Sequence, residues 1–221
     1  MRKTLMLFLV ILAFAFFFSS LSLTQNTPEA VVLEVEGQSR LQRNVPWWQF
    51  WNYSLLEKGD HLKEGDRIRT GSKGNIKIEF PRDSLVRIGP NSILKIEQIG
   101  EEKNSLYLSR GSLGAKIINV IEGIITFEVE TPSAVAAVRG TEFTLEVERR
   151  KTVLSVKEGN VLLIAEGVTE LVAADQTSSV TRGKPPLDPQ KIPEDKRTWL
   201  EEFLSGIIDL PKPPIPSPPG D

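Results

Sequence analysis

Between Ala30 and Arg182 apolar and polar residues alternate in short runs, interrupted by glycine, proline or charged clusters. The clearest run is Thr141 to Glu148, with Phe143, Leu145 and Val147 on one face and Glu142, Thr144, Glu146 and Glu148 on the other. A period of two sends successive side chains to opposite faces, so this is a half-buried strand with an acidic, solvated side. Arg149-Arg150-Lys151 fits a hairpin turn into Thr152-Val153-Leu154-Ser155-Val156. Asn75 to Phe80 alternates likewise, with Ile76, Ile78 and Phe80 inward, and Val86/Ile88, Leu94/Ile96, Leu106/Leu108 and Phe127/Val129 follow. A first strand is expected from Val31 to Leu41. Val161-Leu162-Leu163-Ile164 is apolar on both faces, which predicts a central, buried strand. Turns are expected at Gly89-Pro90-Asn91, Gly100, Glu158-Gly159-Asn160 and Glu166-Gly167. Residues 30–182 thus predict an all-β, compact module of many short antiparallel strands, a sandwich or a short solenoid-like winding.

The two ends read differently. Leu5 through Phe18 is a run of 14 apolar residues, preceded by Met1-Arg2-Lys3-Thr4 and followed by the small-x-small triplet Ser20-Leu21-Ser22. These are the parts of a secretory signal over residues 1–22. The helical length of such a run is ~21 Å, short of the ~30 Å hydrocarbon core. Extended to Leu23, residues 5–23 could just span as an uncleaved anchor. Either way the remainder is expected outside, as a periplasmic, cell-surface or secreted module. At the other end, ten of the 15 prolines lie in 185–221. Residues 193–208 predict one amphipathic C-terminal helix: Pro193 suits its first position, Glu194 and Asp195 its positive pole. Trp199 and Phe203, like Leu200 and Leu204, are four apart and form a stripe expected to dock on the β module, with Gly206 as the stop. Residues 209–221 predict a disordered, Pro-rich tail.

Composition narrows the chemistry. Lys plus Arg is 27 and Asp plus Glu is 29; without Arg2 and Lys3 the balance is 25 − 29 = −4. A mildly acidic chain lacks the basic face of nucleic-acid binders, so no nucleic acid is expected as partner. Cysteine is absent, which excludes disulfide frameworks, thiolate zinc sites and cysteine nucleophiles. His61 is the only histidine, and no nucleophile elbow, phosphate-cradling loop or metal-ligand spacing occurs. No cofactor, no metal and no catalytic residue is expected, and the chain reads as non-enzymatic.

Gly59, Gly65 and Gly71 are six apart, and Gly-Asp recurs at 59–60 and 65–66. Glycine permits positive φ and aspartate can accept from nearby backbone amides, so each pair predicts a tight corner. The run Gly59-Asp60-x-Leu62-x-x-Gly65-Asp66-x-Ile68-x-Thr70-Gly71 resembles the opening signature of the FecR domain family. Phe127-x-Val129-x-Thr131-Pro132-x-Ala134-x-x-x-Val138-Arg139-Gly140-Thr141-x-Phe143 resembles its most characteristic block. Asp83 to Ser92, Leu108-x-x-Gly111-Ser112 and Val156-x-Glu158-Gly159-x-Val161 are similar to its intervening and following steps, so the resemblance covers residues 31–182. It implies an all-β extracytoplasmic module, in a family that includes regulators sensing outer-membrane transport and signalling to sigma factors. The membrane-bound regulators carry a cytoplasmic segment before their membrane helix. Only four residues precede the apolar run here, so no direct sigma-factor contact is expected.

Two groups of residues are candidates for function. The motif residues Gly59, Asp60, Gly65, Asp66, Thr70, Gly71, Thr131, Pro132, Arg139, Gly140, Thr141 and Phe143 are expected to be structural. Thr131-Pro132 should end a strand, and Arg139 beside Gly140 marks a bulge. Arg139 reads either as a ligand for an anion or, preferably, as a cation clamped by Asp66 or Asp60. The binding candidates are Trp47, Trp48, Phe50, Trp51 and Tyr53, an aromatic segment between the first strand and the glycine corners. Clustered tryptophan suits a protein interface, a glycan platform or a hydrophobic plug over an open sandwich end. The expected function is recognition of another cell-envelope component, a protein and possible signalling partner, the alternative being cell-wall polysaccharide held by residues 47–53.

Overall fold

The computed structural model describes residues 28–44, 53–81, 83–100, 102–118 and 127–208. Its strands form one connected sheet, and three of them are long: β9 (Asn104–Lys116), β11 (Val135–Glu148) and β12 (Lys151–Ala165). Each long strand belongs to two halves of the sheet. The first half runs β3 (Tyr53–Leu55), β2 (Ser39–Gln42), β5 (Arg67–Thr70), β8 (Ile93–Gln98), the start of β9, β10 (Phe127–Glu130), the start of β11, the end of β12, and β13 (Val168–Ala173). The second runs β4 (His61–Leu62), β1 (Ala30–Glu36), β6 (Asn75–Phe80), β7 (Ser84–Ile88), the end of β9, the end of β11, the start of β12, β14 (Gln176–Thr181) and β15 (Gln190–Lys191). The halves close on a single core that joins Leu41, Ile68, Leu94 and Leu106 to Ile78, Phe80, Val86 and Ile88. Phe80 of β6 meets Phe127 of β10 edge-on at 5.7 Å. Side chains of this size contribute roughly 1.5–3 kcal/mol each when fully buried.

One device lets the long strands serve both halves. In β9 the buried set is Leu106 and Leu108, then Leu113 and Ala115; in β11 it is Ala136 and Val138, then Phe143, Leu145 and Val147; in β12 it is Thr152, Leu154 and Val156, then Val161 and Leu163. The buried parity therefore switches from even to odd once in every strand. Between the two sets lie Gly111, Gly140 and Gly159, with φ of 99°, 57° and 85°. A bulge adds one residue and bends the strand, and a slip of one residue reverses every side chain beyond it. Without the extra residue, one half of each strand would turn its apolar set to solvent.

Helix α1 (Glu194–Ile208) closes the outer face of the second half. Leu200, Leu204 and Ile207 pack on Leu85 and Ile192, with Leu33 and Trp199 alongside. The Arg87 guanidinium sits 5.1 Å over the Phe203 ring and donates to the Phe203 carbonyl at 3.0 Å.

The fold is all-β with a single C-terminal helix, and it refines several expectations. The strand expected over Val31 to Leu41 is two, because Gly37 (φ 66°) breaks it between β1 and β2. Glu158-Gly159-Asn160 is no turn but the bulge within β12. The pairing is not wholly antiparallel: β10 runs parallel to β9. Val161 and Leu163 are buried, whereas Leu162 and Ile164 face outward and are only half-buried, since among the described residues no second layer covers that side. Gly206 does not stop the helix, which runs on to Ile208. Residues 1–22 and the tail 209–221 lie outside the described residues.

Candidate functional site

The motif residues sit at corners, turns and crossings. Asp60 Oδ2 accepts the Glu57 N–H at 2.9 Å, and Asp66 Oδ2 accepts the Lys63 N–H at 3.0 Å, so each Gly-Asp pair closes on the residue three positions back. Gly59 and Gly65 hold φ of 88° and 85°, while Gly71 does not adopt positive φ and instead donates its N–H to the Gln38 carbonyl at 2.8 Å. Thr70 Oγ1 donates to the Gly89 carbonyl at 2.7 Å and accepts the Ser92 N–H at 2.8 Å. Thr131 Oγ1 accepts the Ala134 N–H at 3.0 Å across a turn that includes Pro132, and shares a 2.8 Å hydrogen bond with Thr152 Oγ1. Thr141 Oγ1 lies 3.0 Å from the Arg139 carbonyl and 2.9 Å from that of Asn160, which ties the bulge beside Gly140 to β12. Phe143 is fully buried.

Arg139 departs from expectation. Its side chain is exposed, and neither expected carboxylate clamps it. Asp66, buried, accepts instead from Arg43 Nη1 at 2.9 Å and from the Asn44 N–H at 3.1 Å. Asp60 is occupied by its own corner. The reason is parity: residues 136 and 138 face the core, so Arg139 points out from the sheet. Nearby, Glu29 binds Lys63 Nζ at 3.0 Å and His61 Nδ1 at 2.9 Å. The hydrogen bond from Lys63 holds the Glu29 carboxyl below the usual carboxylate range, with the charges of Lys63 and His61 acting in the same direction.

Of the aromatic candidates, Trp47, Trp48, Phe50 and Trp51 lie outside the described residues. Tyr53 opens β3, an edge strand paired only to β2, and is 44% exposed, with Leu55 on the same strand at 66%.

A charged groove was not singled out by the sequence. Two cavities of about 560 and 600 Å³ adjoin along Glu146, Glu148 and Arg149, between the β11–β12 hairpin and α1. Arg150, Lys151 and Lys196 line the first, Arg110 and Trp199 the second. Lys196 pairs with Glu146 at 3.4 Å. The one sequence signal is the basic run Arg149-Arg150-Lys151, which reads only as a hairpin turn. Mixed charge over an open concavity suits an extended polar ligand such as a peptide. Among the described residues no group of three His, Asp or Glu could hold a metal, and no helix is long and apolar enough to cross a membrane.

Comparison with known proteins gives a family match over part of the chain and a likeness of fold. Residues 66–162 match the FecR protein family. No curated protein matches the chain. Two crystal structures, at 2.50 and 1.65 Å resolution, of a candidate anti-sigma factor from Parabacteroides distasonis ATCC 8503 are similar in fold. Each superposes with a TM-score of 0.52 at 16% identity, over 61% of this chain and 64% of the other. The likeness thus spans under two thirds of that protein's length.

Proposed function

Since residues 66–162 match the FecR family, we propose that the chain is an exported, non-catalytic module that recognises another envelope protein and works in envelope signalling. The family match is the observation that carries this reading. It spans β9, β11 and most of β12, the crossing strands that build the frame of the fold. A contact with a sigma factor is not part of the proposal.

Exposed Tyr53, directly after the aromatic run, favours a second reading in which wall polysaccharide stacks there. One experiment separates the two. The full chain is used as bait on envelope extract, with purified wall polymer tested in parallel by co-sedimentation. Retention of one protein, which retains the chain in a reciprocal capture, is expected. Sedimentation with the polymer and no retained protein would overturn the protein reading in favour of the glycan.

A further inference from the structure

We propose that the open edge of β13 accepts an extended strand from a partner protein, one that alternates apolar and basic side chains. This rests on the protein-recognition reading and names its surface.

β13 pairs with β12 in an unbroken register from Asn160↔Ala173 to Ala165↔Val168, and among the described residues it has no strand on its other side. One row of its backbone N–H and C=O groups therefore points off the sheet. β14 continues in the same direction beyond the turn at Asp175 but is covered by β15 and by the Leu187 N–H, which bonds the Ser179 carbonyl at 3.0 Å. The other strands that end the sheet are two or three residues long; β13 has six. Sheets blunt long edges with charged side chains, proline or a bulge, and Val168-Thr169-Glu170-Leu171-Val172-Ala173 carries one such device, Glu170, and neither lysine, proline nor a bulge.

The adjoining face is apolar. Leu171, Leu162 and Ala137 lie in one row, and Thr169, Ile164 and Val135 in the next. Their neighbours Val172, Val161, Leu163 and Ala136 fill the core, so these rows face outward. Leu171 is 53% exposed. Helix α1 lies on the other half of the sheet, where it packs on Leu85.

Charge selects the occupant. Glu166 and Glu170 flank or occupy the edge, Asp175 just beyond it meets Arg197 at 3.5 Å, and no lysine or arginine falls between 166 and 175. Glu128 and Glu130 face the same side further in, on β10 beyond β12 and β11, where Lys103 meets Glu128 at 2.7 Å. Arg139 is the cation of the adjoining rows, at their far end. A second copy paired antiparallel through its own β13 would bring the Glu170 carboxylates close, and like charges across strands destabilise pairing. A strand that carries lysine or arginine meets the same edge with opposite charge, while its apolar residues cover Leu171 and Leu162.

The test uses the full chain and two short labelled peptides, one alternating lysine and valine, the other glutamate and valine. Fluorescence anisotropy is expected to show the lysine peptide binding at least about tenfold tighter than the glutamate peptide. Glu170→Lys should remove that preference without loss of fold, Thr169→Pro should abolish binding, and hydrogen exchange should slow in β13 when the lysine peptide is present. Equal binding of both peptides to the native chain and to Glu170→Lys would overturn the proposal. So would a dimer in sedimentation that Leu171→Lys dissolves. If an envelope protein is captured equally by native chain and Glu170→Lys, this surface is wrong and the protein reading stands. If none is captured, the protein reading itself fails.

Discussion

Thr141 and Arg139 are two residues apart and have opposite roles. The Thr141 hydroxyl lies within 3.0 Å of two carbonyls, those of Arg139 and Asn160, at the point where β11 bulges. Removing it leaves a partly buried carbonyl short of a donor, so Thr141→Val should lower unfolding free energy by about 1 kcal/mol in urea titrations. Arg139 is exposed on the outer face, so Arg139→Leu should stay within about 0.5 kcal/mol of the native chain in the same assay. The family-like block made both residues visible in the sequence, but it could not tell them apart, because motif spacing does not say which side of a bulge a side chain leaves from. Glu29 gives a pH-dependent case. Its carboxyl is held low first by the Lys63 hydrogen bond, so whatever it contributes to stability is present above the ordinary carboxylate pKa and is lost as pH falls through the lowered one. An NMR titration should show Glu29 shifting upward in Lys63→Met.

The crossing strands and the helix set the shape at the level of elements. Gly159 holds φ of 85°, and a Cβ there would lie 2.6 Å from the Gly140 carbonyl oxygen. Gly167, at φ 75°, faces open space. Gly167→Ala should cost about 1–2 kcal/mol for its left-handed backbone alone. Gly159→Ala should cost clearly more, because β11 and β12 must also separate; thermal unfolding of the pair reads the difference. Helix α1 hangs on Arg87, so Arg87→Met should speed hydrogen exchange in α1 selectively while the strands keep their protection. Most strands were legible from alternation, and so was the docking stripe of α1. The even-to-odd switch is also written in the sequence, as Leu106 and Leu108 against Leu113, or Leu154 and Val156 against Val161 and Leu163. Gly159 nonetheless read as a turn, since glycine between two alternating runs looks the same whether the chain reverses or merely bends.

For the whole molecule, alternation states that each strand has an inner face but not which strands face each other. The folding of one sheet into two halves, the parallel β9–β10 pair and the groove beside α1 arise from contacts far apart in sequence. One whole-molecule feature did leave a trace. Val161 to Ile164 is apolar on both faces, yet Leu162 and Ile164 are only half covered within the chain. That unmatched apolar side, bordered by the acidic, unpaired edge of β13, is the account's central claim about function. Site-specific photo-crosslinking in living cells tests it most directly, with the probe at position 171 and a control probe at position 153 in the groove. The account predicts one partner protein joined from position 171 and not from 153. Adducts from 153 alone, or from 171 only to a second copy of the chain, would contradict it.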